Sequence, residues 1–258
     1  MPTWDPKIYA RYADERSRPF FDLVAQIRAD SPATVVDLGC GTGELTASLA
    51  RRWPAAQVIG IDSSPDMLAK APNVDRLTFE HGDVRHWKPD APVDVLVTNA
   101  VLQWVPDHLP LLQRWVEHLA PGGWLAMQVP GNYTAPSHTL MREVASEPPY
   151  AGTLASELRG TDSVADPSTY AALLADAGCT VDAWETTYLH VLQGNDPVLQ
   201  WVRGTGLRPV LDALADDPEL QSAYVDTYAA RLRDAYPRKP WGTLMPFRRI
   251  FAVARRAA

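Results

Sequence analysis

Apolar positions in the first half of the chain fall into short dense runs, and amphipathic stretches separate them. "ATVVDLG" (33–39), "QVIGID" (57–62), "LTFEHGD" (77–83), "VDVLVTNA" (93–100) and "WLAMQVP" (124–130) read as five strands. Between them, "ELTASLARRW" and "HLPLLQRWVEHLAPGG" carry helical spacing, the second closed by Pro121-Gly122-Gly123. "SSPDMLAKA" reads as a helix that Ser63 or Ser64 caps, with Pro65 in its first turn. Runs that are apolar on both faces, alternating with helices, indicate a parallel sheet covered on both sides.

The second half is more helical. "PSHTLMREVASE", "SVADPSTYAALLADAG" and the block from Asn195 to Pro237 read as helices, with Asp-Pro pairs at 166–167, 196–197 and 217–218 marking starts and Gly178 a stop. "TVDAWETTYLHVL" and "FRRIFAVARR" read as the last two strands. The helical insertion between these two is too long for a turn and reads as a cap over the ligand edge of the sheet. The expected layout is one domain over 1–258. It has an N-terminal helical segment (1–30), a cofactor-binding core (31–130), helical cap inserts (131–165 and 194–240) and a last strand (241–258).

Composition narrows the partners. The 258 residues carry a formal net charge of -7, and an acidic surface repels nucleic acid and anionic lipid. Two cysteines, Cys40 and Cys179, make neither a disulfide framework nor a metal motif, and they point to a reducing, cytoplasmic compartment. The polar N-terminus lacks the apolar stretch of a signal peptide, and no run is long enough to span a bilayer.

Ligands of such sheets bind at the carboxyl ends of the strands. There the chain has "VVDLGCGTGE", with Gly39, Gly41 and Gly43 spaced G-x-G-x-G. The dinucleotide fingerprint is G-x-G-x-x-G, so the third glycine comes one residue early. Glu44 follows it, and Asp37 precedes the turn. Two carboxylates oppose a pyrophosphate and suit a ligand with cationic groups, an amine or a sulfonium. Asp62 ends the second strand about 20 residues on, the spacing of an acid that accepts ribose hydroxyls.

This ordered set resembles the class I S-adenosylmethionine-dependent methyltransferases, a Rossmann-like α/β fold with a mostly parallel seven-stranded sheet, helices on both faces and here a helical cap. The resemblance implies that Gly39, Gly41 and Gly43 wrap the methionine part of the cofactor and that Asp37 reaches its amine. It also implies that Asp62, with Ser63 beside it, binds the ribose, that Asp83 and the Val84 N–H hold adenine, and that Met67 packs on the ring. Asn99 would close the site near the carboxypropyl chain. Blander roles stand beside these: Asp37 as an orienter of the turn, Asp62 as a helix cap, Asp83 as a turn residue, Met67 as core.

The acceptor is a separate matter. "WDPKIYARYADERSRPFFDL", "NAVLQWVPDH", "MQVPGNYTAPSHTLMREVA", "WVRGTGLRPVL" and "FRRIFAVARR" together resemble the trans-aconitate 2-methyltransferase family over nearly the whole chain. The implied reaction esterifies one carboxylate and yields S-adenosylhomocysteine. A carboxylate is already ionised near neutral pH, so no general base and no metal is required. Arginines suit a polycarboxylate. Candidates at the ligand edge are Arg16, Arg18, Gln103, Trp104, Asn132, Tyr133, His138, Arg142 and Arg208, with Arg142 and Arg208 first; Arg203 in the cap and Arg248 and Arg249 at the start of the last strand are further arginines in segments that can face it. Each arginine could equally be a solvated surface group, His138 a surface or capping histidine, and Trp104 ordinary core. Rival readings are methylation of another polyacid or a carrier-bound acyl carboxylate, a nicotinamide-dependent oxidoreductase, and a non-catalytic cofactor-binding module.

Overall fold

The computed structural model describes residues 13–154, 156–158, 160 and 163–258, with side chains from Ser17 onwards. Seven strands form one sheet: β1 (Thr34–Leu38), β2 (Gln57–Asp62), β3 (Leu77–His81), β4 (Val93–Asn99), β5 (Leu119–Pro130), β6 (Cys179–Leu192) and β7 (Thr243–Arg256). Their order is β3-β2-β1-β4-β5-β7-β6. The five strands up to β5 run parallel, and β7 lies antiparallel to β5. The order reverses between β1 and β4, which opens a crevice at their carboxyl ends. The chain thus has the Rossmann-like fold that the sequence implied.

Two compact groups of residues hold separate cores. One comprises Ser17–Pro130, Val164–Thr186 and Arg249–Ala258. In its core, alternate residues of the sheet (Val36, Leu38, Leu96, Leu125, Met127, Val129) are buried with Leu112, Trp115 and Val116 of the helix Leu109–Glu117 and Tyr170 and Leu174 of the helix Pro167–Asp176. The other face of the strands is also buried, at Val35, Val95, Val97 and Ala126. This is why these runs read as continuously apolar rather than alternating.

The second group includes Gly131–Ser163 and Thr187–Arg248. The helix Pro136–Ser146 is pinned to the helix Pro218–Ala235 and the residue after it by buried tyrosines. Tyr224 donates to the Met141 carbonyl at 2.7 Å, Tyr228 donates to the Ser137 carbonyl, and the Tyr236 hydroxyl accepts from the Ser137 N–H at 3.0 Å. Each hydroxyl has the partner that burial of a phenol demands.

Local expectations resolve in detail. Ser64, not Ser63, caps the helix Pro65–Leu68, and Asp217 caps the long helix by accepting from the Leu220 N–H at 2.9 Å. Asp196 precedes Pro197 as expected but does not cap with its side chain, because the Arg233 guanidinium holds both carboxylate oxygens at 2.7 Å. Pro121-Gly122-Gly123 does not close the preceding helix: that helix ends at Glu117, and the three residues lie in β5 beside a register shift at Val93/Val95. No helix among the described residues is long and apolar enough to cross a membrane.

Candidate active site

The turn after β1 is tied to β2 by its backbone. The Ile61 carbonyl accepts from the N–H of Gly39 at 2.7 Å and of Cys40 at 3.0 Å. All three glycines of the turn have positive φ. At Gly39 an added Cβ would sit 2.1 Å from Val101, so the missing side chain lets the loop after β4 pack on the turn. At Gly41, with φ of 58°, an added Cβ would meet nothing within 4 Å. Backbone exposed in this way can be approached closely by a ligand.

Asp62 ends β2, beside the glycine turn. One carboxylate oxygen accepts from the Gly41 N–H at 2.8 Å and the other from the Ser64 N–H at 2.9 Å. A carboxylate has about four acceptor sites, so two remain for hydroxyl groups of a ligand. Asp37 is buried behind the turn and accepts from the Thr46 hydroxyl at 2.7 Å. Burial pushes its pKa up to about 7, against the Thr46 hydrogen bond, and the nearby Asp62 charge adds to the rise. A cation placed here would favour the ionised form. The same burial, with Asp37 and Asp62 close by, holds the Cys40 thiol protonated.

Asp83 and Val84 follow β3. The Asp83 carboxylate is gripped by the Arg85 guanidinium and the Arg85 N–H, which hold its pKa below the ordinary carboxylate value. Val84 is buried in the core beneath the crevice, and Met67 and Ser63 are half-buried. At the end of β4 the Asn99 Oδ1 is buried with no hydrogen-bond partner among the described residues. Ala100, next in sequence, adopts φ of 57°, a strained conformation for a residue with a Cβ. Its N–H donates to the Gln128 carbonyl at 2.9 Å and its carbonyl accepts from the Gln103 amide at 2.6 Å. Those bonds hold the strain, and Gln103 is thereby fixed at the start of the short 3-10 turn that contains the half-buried Trp104.

A methyltransferase-domain family model matches residues 9–183. The chain is 54% identical over 99% of its length, and 87% of the relative's, to the trans-aconitate 2-methyltransferase of Streptomyces coelicolor. It is 52% identical to that of Streptomyces avermitilis over the whole chain and 98% of the relative. The chain belongs to the trans-aconitate 2-methyltransferase family. Among solved structures, a chain from the complex of the Haloferax volcanii Trm112 methyltransferase activator with its methyltransferase superposes with a TM-score of 0.58. It is 18% identical and covers 96% of this chain and 92% of that one, a likeness of fold.

In this member of the trans-aconitate 2-methyltransferase family, four of the expected acceptor residues come together just past β5. Asn132 lies 3.4 Å from His138 Nδ1, and the Tyr133 and His138 rings meet edge-on with centroids 5.2 Å apart. The Arg142 guanidinium donates to the Tyr133 carbonyl at 2.8 Å. Gly206 is also at His138, where an added Cβ would stand 3.2 Å from Nε2. Arg208, two residues on, is half-buried and paired with Asp212 at 3.4 Å. Arg18 is exposed and paired with Asp22 one helical turn away at 3.7 Å, and the Arg16 side chain lies outside the described residues. The sequence reading passed over Gln128, a polar residue in the apolar run "WLAMQVP" that is 1% exposed. A lone amide in a buried strand was the signal.

Proposed function

We propose that this chain transfers a methyl group from S-adenosylmethionine to one carboxylate oxygen of trans-aconitate, giving a monomethyl ester and S-adenosylhomocysteine. The observation that carries the reading is identity of about one half to enzymes of that name over essentially the whole chain, acceptor segments included. The crevice residues fit the donor. Asp37, Asp62 and the Asn99 Oδ1 are acceptors, which suits an ammonium group and ribose hydroxyls rather than a pyrophosphate, and the Gly41 backbone is open to a ligand.

The bound donor supplies an electrophilic methyl group on a sulfonium. What the chain contributes is placement. Asp62 fixes the Gly41 and Ser64 N–H groups with the same carboxylate whose remaining lone pairs would accept from the ribose hydroxyls. Asp37, ionised beside an ammonium, holds the methionine end, and Asn99 accepts a hydrogen bond at the end of β4. Asp83 presents a carboxylate already oriented by Arg85, with Val84 and Met67 as apolar walls for adenine. The acid is an ionised nucleophile at neutral pH and requires no base. Orientation of two reactants can supply up to roughly 7–11 kcal/mol of barrier reduction. Asn132, Tyr133, His138, Arg142 and Arg208, with Gln103 and Trp104 after β4, are the groups we assign to the acid. A cytoplasmic setting fits the two cysteines, which are free thiols.

The test is incubation of the purified protein with methyl-labelled donor and trans-aconitate. A base-labile labelled ester is expected. Rapid methylation of another polyacid or a carrier-bound acid, with none of trans-aconitate, would move the acceptor and keep the reaction class.

A further inference from the structure

Gln128 stands in the middle of β5, yet neither its Nε2 nor its Oε1 has a hydrogen-bond partner among the described residues. At 1% exposure it is among the most buried polar side chains of the chain. A buried amide without partners is costly, and native proteins almost always satisfy one. A hydrophobic residue would fill the position without that cost, as Met127 and Val129 do on either side. The amide therefore calls for a partner that the described residues do not supply.

Strand register tells where that partner lies. Gln128 is the parallel partner of Asn99 on β4 and the antiparallel partner of Phe251 on β7, and Pro130 is paired with Arg249. Residues two apart, and residues directly paired, point to the same face. Asn99, Gln128 and Phe251 thus form the row across three adjacent strands, and Arg249, opposite Pro130 and two residues along β7 from Phe251, lies on the same face one step nearer the ligand-binding end of the sheet. Asn99 is on the side of β1, where the donor turn lies, and Arg249 is a buried cation on the far side. An amide NH₂ on the face that carries this arginine is a hydrogen-bond donor matched to a carboxylate.

We propose that the Gln128 amide binds the acid acceptor directly, Nε2 donating to a carboxylate oxygen, with Arg249 diagonal to it on the same face. The inference rests on the methyltransferase reading above. It adds to the acceptor site a residue on the rigid sheet, where one carboxylate is fixed in front of the methyl donor.

The experiment compares wild type with Gln128→Met, which keeps length and shape and removes both polar atoms. Three quantities are read: thermal stability without ligands, S-adenosylhomocysteine affinity by calorimetry, and KM for trans-aconitate. An acid-binding role predicts unchanged or raised stability, unchanged S-adenosylhomocysteine affinity, and a KM raised by about tenfold or more, the loss typical of a hydrogen bond to a charged group. Gln128→Glu, which sets a carboxylate against the acid, should raise KM further. Lowered stability or failure to fold in Gln128→Met would mean that the amide serves the fold and would overturn the proposal. So would a KM within about twofold of wild type, or a loss confined to S-adenosylhomocysteine. If wild type binds S-adenosylhomocysteine but esterifies no trans-aconitate, the acceptor reading itself fails, and that outcome is seen before any variant is compared.

Discussion

Asp37 offers a measurement of stability that depends on one carboxyl group. Its pKa in the folded protein is about 7, raised mainly by burial, against an ordinary value of 3.8. The folded state therefore holds a proton that the unfolded chain has lost between these values. Stability from this group is fully present below the unfolded pKa and declines as pH rises, until the folded carboxyl has ionised. With those two pKa values, the raised pKa of Asp37 lowers stability, relative to low pH, by about 1.5 kcal/mol at pH 5 and about 4 kcal/mol at pH 8.5. Asp37→Asn removes the titration and keeps an oxygen to accept from Thr46, whose hydroxyl is 2.7 Å away. Urea unfolding of wild type and variant at both pH values gives the double difference, in which constant effects of the substitution cancel. The variant should gain about 2.5 kcal/mol on wild type between pH 5 and 8.5. A double difference below about 1 kcal/mol would refute a buried, proton-holding Asp37. The same variant should bind S-adenosylhomocysteine more weakly at pH 8.5, since the ammonium loses its counter-charge.

Three further outcomes follow from the crevice. Asp62→Ala should weaken S-adenosylhomocysteine binding by about 1–3 kcal/mol in calorimetry; equal affinity would remove Asp62 from the ribose. Gly41→Ala should fold with a cost of about 1 kcal/mol from its positive φ yet lose donor affinity, whereas Gly39→Ala meets Val101 and should unfold at markedly lower urea. Arg208→Ala should raise KM for the acid with donor affinity intact; parallel loss of both would make its pairing with Asp212 a structural one.

The strand–helix alternation was legible because the inner parallel strands, β1, β4 and the second half of β5 above all, are buried on both faces, and the turn because G-x-G-x-G with Asp37 and Asp62 places acceptors at strand ends. Arg85 next to Asp83 was visible in sequence, but not that it would grip the carboxylate on both oxygens, which depends on the geometry of a two-residue turn. Pro121-Gly122-Gly123 resembles a helix stop. Pairing with β4, which local pattern does not report, draws it into a strand instead. Asp196 has the sequence of a cap, but a partner 37 residues away takes its carboxylate. Gln128 was obscured for the opposite reason: its neighbours are so apolar that the run reads as core, and only the register with Asn99 places the amide beside a second polar group.

The position of β7 has a consequence for how the chain matures. It is made last, from Thr243 to Arg256, yet it sits inside the sheet between β5 and β6. The parallel strands can pair as they leave the ribosome, since all are complete by Pro130. β6 follows, and its inner neighbour does not yet exist. Until β7 emerges, β5 presents a bare edge whose residues Leu125 to Val129 are all apolar but for Gln128, a surface prone to wrong pairing. Removing the β7 residues Arg249 to Arg255 would leave the chain permanently at that stage.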